Sequence, residues 1–378
     1  MKLLSMDVVA PSRLKGLAAA VITACAALLG PQAMAQEEEK VLNIYNWSDY
    51  IADDTIANFE KETGIKVRYD VFDTNEILHA KLVAGKTGYD IVVPSSYWAK
   101  IQMDGGLLKK LDKSQIPNLK NMDPELMKAA AAYDPDNAHG VIYMWGTVGL
   151  GYNVAKIKEA LGTDKIDSWA AVFDPAQAAK LKDCGINFLD SPTDMIPVTL
   201  AYLGLNPDSH DPADVAKAEE ALMKVRPYVR KFHSSEYING LANGDICVAV
   251  GYSGDVFQAR DRAAEAKQGV EVAYAIPKEG TQMWFDQMAI PADAPHKEEA
   301  YEFINYMMRP EVIAKSSNYV FYANGNKASQ EFLDKAVLDD PAVYPDQATM
   351  DKLFVNTSLD PKTQRIFTRT WTKIVTGQ

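Results

Sequence analysis

The sequence predicts an α/β protein of two lobes, each a mixed sheet flanked by helices. Three observations carry that reading. Residues 41–94 alternate short apolar runs with amphipathic stretches in a βαβαβ order. The same alternation resumes from Val141 to Met308, with no long Pro/Gly/Ser linker, internal repeat or low-complexity tract between the two sets. A chain of 378 residues, 47% of them hydrophobic, is also long enough to bury two cores.

Val41–Tyr45 reads as the first strand. A helix is expected over Ala52–Lys61, with Ile56 and Phe59 on one side, Asp53 and Asp54 in its first turn and Gly64 closing it. Ile65–Val71 is a second strand, and Asn75–Gly85 a helix with Ile77, Leu78 and Leu82 facing inward. Tyr89–Pro94 is continuously apolar past Asp90, as expected of a strand buried on both faces. This opening predicts a mostly parallel sheet with helices on both sides. Further on, an extended stretch runs from Val141 to Asn153. Asp211 and Pro212 start a helix as N-cap and first helical residue, with Val215, Leu222, Val225 and Val229 on its apolar side. Asn243-Gly244 turns into the strand Ile246–Val250, and Val270–Ile276 is another strand. Lys297–Met308 places Ala300, Phe303, Ile304 and Met307 at core spacing, and Arg309-Pro310 ends it.

The N-terminus reads as a secretory signal. Arg13 and Lys15 precede an apolar stretch over Gly16–Leu29, Gly30-Pro31 breaks it, and Ala33-Met34-Ala35 supplies the small residues of a cleavage site before Gln36. The apolar stretch is short for a membrane span. Ile22-Thr23-Ala24-Cys25 offers acylation at Cys25 as an alternative, but the apolar residues after that cysteine speak against it. The formal charge is −12, and losing Lys2, Arg13, Lys15 and Asp7 takes it two units lower, to −14. So acidic a chain disfavours nucleic acid and anionic membrane and mildly favours cationic partners. Cys184 and Cys247 remain, and an even pair in an exported chain reads as one disulfide, the alternative being two buried free thiols.

The functional signal lies at strand ends. Trp47-Ser48-Asp49-Tyr50 sets two rings, a hydroxyl and a carboxylate just past the first strand, where open α/β sheets bind ligands. Pro94-Ser95-Ser96-Tyr97-Trp98, Gly251-Tyr252-Ser253-Gly254-Asp255 and Met283-Trp284-Phe285-Asp286 repeat that mixture. Val320–Asn324 adds Tyr322, and Asp190–Asp194 adds carboxylates with a helix-start pattern. Singly, each ring is most often a packed rim residue, and Asp194 or Asp255 a solvated turn or first-turn residue. Jointly they suit a protonated amine, which needs a carboxylate to leave water and is attracted to aromatic faces by roughly 0.5–2 kcal/mol each. A linear polyamine, ammonium groups joined by methylenes, asks for separated carboxylates with rings between them.

Other chemistries are less well served. Asp255 and Asp286 could act as the carboxylate pair of a glycosidase, and rings suit a sugar. Tyrosine-based ferric binding is a further alternative, but a metal needs no tryptophans. There is no Ser/His/Asp motif, phosphate-cradling glycine loop, His-x-x-His or Cys-x-x-Cys. His79, His139, His210, His233 and His296 are scattered, so neither a zinc site nor a cofactor is expected.

The chain from about Leu42 onward resembles the periplasmic polyamine-binding proteins of ABC importers, the putrescine- and spermidine-binding group. The matching stretches are Tyr45–Tyr50, Met144-Trp145-Gly146-Thr147, Leu150-Gly151-Tyr152-Asn153, Leu241–Asp245, Gly254-Asp255 and Tyr322-Ala323-Asn324. The resemblance implies a two-lobe venus-flytrap fold, a monomer in the periplasm, and delivery of the ligand to a membrane permease rather than catalysis. A ligand-loaded protein that signals to a membrane sensor is the alternative use. It further implies that Trp47, Ser48, Asp49, Tyr50, Ser95, Asp194, Tyr252, Asp255, Trp284, Asp286 and Tyr322 correspond to ligand contacts. Asp255 and Asp286 would pair with ammonium groups, and Trp47, Tyr252, Trp284 and Tyr322 would form an aromatic box. Tyr252 stands where Trp is common in the family, and Asp194 where Glu is common. Trp284, Tyr97 and the polar Asn356 resemble the spermidine binders, so spermidine is favoured over putrescine, although Ser191 is not the acid a third ammonium group would want. The expected division gives residues 36–143 and 266–336 to one lobe, and 144–265 and 337–378 to the other.

Overall fold

A computed structural model describes residues 40–378; the stretch read as a secretory signal, the expected cleavage site and Cys25 lie outside the described residues. Among the described residues, eleven strands form one sheet system. In chain order they are β1 (Val41–Trp47), β2 (Lys66–Phe72), β3 (Ile91–Val92), β4 (Gly140–Asn153), β5 (Ile186–Phe188), β6 (Val229–Phe232), β7 (Val248–Tyr252), β8 (Val272–Ala275), β9 (Thr281–Ala289), β10 (Ala323–Asn324) and β11 (Leu353–Phe354).

The fold is α/β with two lobes, and β4 joins them. This strand is 14 residues long and buried throughout. Its first part, Gly140–Thr147, pairs antiparallel with β9, while Val148–Tyr152 pairs antiparallel with β7 and Leu150–Asn153 with β8. On one side β1 lies parallel between β2 and β3, and on the other β5 lies parallel between β6 and β7. The sheets are therefore mixed, and the mostly parallel sheet expected from the opening holds only for those two groups. Two large cores follow. One gathers Leu42, Ile44, Phe59, Ile91, Tyr143, Phe285, Phe303 and Ile304; the other gathers Leu150, Trp169, Phe188, Leu222, Val248, Val250 and Trp371. Val337 and Val343 pack in the first of these.

Local chemistry accounts for most boundaries. The helix Thr55–Thr63 ends at Gly64, whose φ of 75° lies in the left-handed region that favours glycine. In the helix Asn75–Ala84, Leu78 and Leu82 share the buried face, whereas Ile77, expected inward, is 48% exposed one position away. Val229 does not belong to the helix Pro212–Val225: Pro227 cannot continue it, and Val229 opens β6. Arg309-Pro310 ends one helix as expected, but Pro310 also occupies the first position of the next, Pro310–Val320. The helix Ser253–Ala266, directly after β7, had no counterpart in the sequence reading.

Cys184 and Cys247 are disulfide-bonded, with Cα atoms 5.4 Å apart, just ahead of the paired strands β5 and β7. The bond links residues 63 apart in sequence. On chain-entropy grounds a closure of that length stabilises by about 4 kcal/mol. Urea unfolding with and without reductant is expected to show a loss of that order. Incorporation of two alkyl groups without reductant would show that the bond is absent.

Candidate functional site

A cleft enclosing about 930 Å³ of empty space, open to solvent, has walls drawn from both cores. All twelve residues singled out from the sequence line it: Trp47, Ser48, Asp49, Tyr50, Ser95, Tyr97, Asp194, Tyr252, Asp255, Trp284, Asp286 and Tyr322. Asp49, Asp73, Asp194, Asp255 and Asp286 supply carboxylates, and no lining residue is Lys or Arg.

The wall nearest β1 is built by backbone economy. The strand ends at Trp47, whose indole N–H donates to the Val93 carbonyl at 2.8 Å and whose ring packs on Phe72 at 4.6 Å. The chain then turns through Asp49, at φ 52°, a conformation Asp tolerates better than most residues. That turn delivers Tyr50 to a buried position edge-on to Tyr322, with ring centroids 5.3 Å apart.

Asp286 sits mid-strand in β9, not beyond a strand end as the sequence suggested. It is 4% exposed and accepts a 2.7 Å hydrogen bond from the Ser95 hydroxyl, itself fixed by Asn75 Nδ2 at 3.0 Å. Burial pushes the Asp286 carboxyl up to about 7, and the Ser95 donor opposes this only partly. Asp255 occupies the first turn of the helix Ser253–Ala266. Part of its surface opens to the cleft, yet the protein around it is dense enough that burial raises its carboxyl to about 6. Tyr322 donates to Asp255 Oδ1 at 2.8 Å. Gly254 permits that approach, because a Cβ there would fall 2.5 Å from the Tyr322 ring. Asp194, in the first turn of the helix Pro192–Tyr202, accepts from the Tyr252 hydroxyl at 2.9 Å, and burial raises its carboxyl too.

Between these acids the rings meet edge to face. Trp284 lies 5.9 Å from Tyr252 and 5.3 Å from Tyr322, between centroids. Its indole Nε1, the Gln282 Oε1 and the Asn356 Oδ1 are buried without a partner among the described residues. Gln282 was missed from the sequence, although period-two alternation places it on the same face of β9 as Trp284 and Asp286. Trp98 and Tyr133 also line the cleft; Tyr133 lies in a stretch where no strand-end pattern could flag it. Glu76, just behind Asn75, was missed as well. Burial raises its carboxyl to about 7, with Asp194 and Asp190 adding to the effect.

Residues 54–345 match the family of bacterial extracellular solute-binding proteins. The chain belongs to this family. It is 53% identical over 343 residues, 90% of its length and 93% of the relative's, to the putrescine-binding periplasmic protein PotF of Escherichia coli. Identity to the putrescine-binding periplasmic protein SpuD of Pseudomonas aeruginosa is 52% over 342 residues, again 90% and 93% of the two chains. The solved spermidine/putrescine ABC transporter substrate-binding protein PotD of Streptococcus pneumoniae aligns with TM-score 0.74 at 30% identity, covering 89% of this chain and 99% of that one. These relatives are named as periplasmic or transporter substrate-binding proteins. Among the described residues, no helix is long and apolar enough to cross a membrane.

The raised carboxyls fix the sign of a pH effect. The folded chain holds protons on Asp286, Asp255 and Glu76 at pH values where the unfolded chain has released them. Stability from these groups is therefore full below about pH 4 and is lost as pH rises through about 6 to 7. Thermal unfolding of the ligand-free protein should show a midpoint falling by about 5 °C between pH 5 and pH 8. The double variant Asp255→Asn/Asp286→Asn should flatten that slope. An equally steep slope in the variant would place the titration elsewhere.

Proposed function

We propose that the protein captures a linear polyamine between its lobes and hands it to the permease of an ABC importer. The observation that carries this reading is a cleft with several buried or half-buried carboxylates, an aromatic lining and no basic side chain. Asp194, Asp255 and Asp286 each already have a neutral hydroxyl donor, which orients them without cancelling their charge. Cationic nitrogen completes such a site, and the rings cover its methylenes and attract its charge. The names of the relatives support the same ligand class.

Within that reading, Asp255 and Asp286 pair with ammonium groups, and Trp47, Tyr252, Trp284 and Tyr322 form the box around the chain between them. Ser48, Asp49, Tyr50, Ser95, Tyr97 and Asp194 complete the contact set. Residues 36–143 with 266–336 form one lobe, and 144–265 with 337–378 the other. The two cores follow this division except that Met144, Trp145, Phe257, Val337 and Val343 pack with the first and Val272 with the second. The protein works as a monomer in the periplasm, exported by residues 1–35, without catalysis.

Calorimetry with putrescine, spermidine, maltose and ferric citrate is the direct test. Heat from either polyamine and none from the sugar or the iron complex is expected. Asp255→Asn and Asp286→Asn should each weaken binding by at least about tenfold while the ligand-free melting temperature stays level or rises. Heat only from maltose or ferric citrate would sink the proposal.

Two polyamines fit different observations. Spermidine is favoured by Trp284, Tyr97 and Asn356 around the cleft, and by Asp194 as a third carboxylate. Putrescine is favoured by the names of the relatives at 52–53% identity. Competition titration on the wild type and on Trp284→Phe separates them. Spermidine should bind the wild type more tightly, with the preference reduced in the variant. Tighter putrescine binding by the wild type would settle the choice the other way.

A further inference from the structure

Both oxygens of Asp255 are held by phenols, and only one of those phenols faces the cleft. Tyr322, in the cleft wall, donates to Oδ1 at 2.8 Å and accepts from the Asp255 N–H at 3.1 Å. Tyr237 donates to Oδ2 at 2.7 Å and accepts from the Tyr252 N–H at 2.9 Å. Tyr237 lies in the helix Tyr237–Ala242, is 1% exposed, packs in the second core and is absent from the cleft lining. Its ring occupies the space above Gly251, where a Cβ would fall 2.5 Å from a ring carbon. One hydroxyl thus ties the ligand-facing carboxylate to the backbone at the end of β7, from behind the cleft.

We propose that Tyr237 is a positioning residue for ligand capture, a hydroxyl the ligand never touches that keeps Asp255 oriented and ionised for a cation. The proposal rests on Asp255 being an ammonium partner. Its logic is the choice of donor. A guanidinium or ammonium in the place of Tyr237 would cancel the charge that the ligand needs. An aliphatic side chain there would leave a buried carboxylate short of a donor, and burial would then protonate it. A neutral phenol stabilises the anion and leaves its charge available.

The groups facing Asp255 are few enough to assign. Tyr237, Tyr252 and Tyr322 surround it from the helix Tyr237–Ala242, the end of β7 and the segment ahead of β10. Asp49 and Tyr50 face it from the loop after β1, and Arg262 lies two turns along its own helix. Asp49 acts to raise the Asp255 carboxyl and Arg262 to lower it, and these two also lie 3.6 Å from each other. Only Tyr237 and Tyr322 donate to the carboxylate from side chains, so removing one hydroxyl removes half of that support.

The test is Tyr237→Phe, which deletes a single oxygen. Carbon-13 carboxyl NMR on the ligand-free protein should show Asp255 titrating about one pH unit higher than in the wild type. Affinity for putrescine or spermidine should fall about fivefold at pH 6 and less than about twofold at pH 8, where Asp255 is ionised in both proteins. In an Asp255→Asn background, Tyr237→Phe should cause no further loss. An equal loss at both pH values, or a loss that persists in that background, would reduce Tyr237 to packing and overturn the proposal. Should Tyr237→Phe fail to fold, 3-fluorotyrosine at position 237 keeps the shape and strengthens the donor, and should move both readouts the opposite way. If the wild type takes up neither polyamine, the functional reading fails on its own, while the carboxyl titration still decides what Tyr237 does to Asp255.

Discussion

Carboxylates that the protein surrounds but does not neutralise set the terms for the rest of this molecule. Asp286, Asp255 and Asp194 are held by Ser95, Tyr237, Tyr322 and Tyr252, all of them neutral hydroxyl donors. Hydrogen bonds of that kind lower the cost of burial without removing it, which is why burial still dominates the raised carboxyls. Below about pH 6 the ligand-free cleft therefore holds protons on Asp255 and Asp286. Under the proposed function the ligand replaces those protons, and binding strengthens as pH rises past the point where they leave.

That electrostatic demand explains the aromatic content. A lining of aliphatic side chains would bury the acids in a medium offering a ligand only dispersion, whereas ring faces also attract its charge. The rings have to be placed rigidly to serve that purpose. Trp47 is fixed by its indole hydrogen bond to Val93, and Tyr322 by its exchange with Asp255. Gly254 is part of the same construction, since only a residue without a side chain lets Tyr322 lie against the start of the helix.

Much of this was legible in the sequence because the signal was compositional and local. A carboxylate next to rings at a strand end fits neither a dry core nor a solvated turn, so Trp47–Tyr50 and Tyr252–Asp255 could be read without a structure. The disulfide followed from compartment and count. What escaped reading depended on tertiary pairing. Asp286 lies inside a strand, because β9 runs past the cleft against β4 where a strand end was expected. Tyr133 comes to the cleft from a segment with no periodic pattern, and its hydroxyl donates to the Asn356 carbonyl at 2.6 Å. Ile77 shows the opposite limit: helical spacing allowed it a buried place, and the neighbouring Leu78–Leu82 pair took the buried face instead.

The position of the acids relative to the two cores ties recognition to shape. Asp286 follows Phe285 of the first core and is braced by Ser95, whereas Asp194 precedes Met195 of the second core, in which Tyr237 also packs. Asp255 stands at the seam, with Val256 packed in one core and Phe257 in the other. A ligand with a single charged group could satisfy one side and leave the other in want of a partner. A ligand with cationic groups separated by methylenes satisfies both at once, and only when the two walls stand at the spacing its length dictates. Because β4 runs unbroken from one core to the other, the strands that the two cores share fix the spacing of those walls.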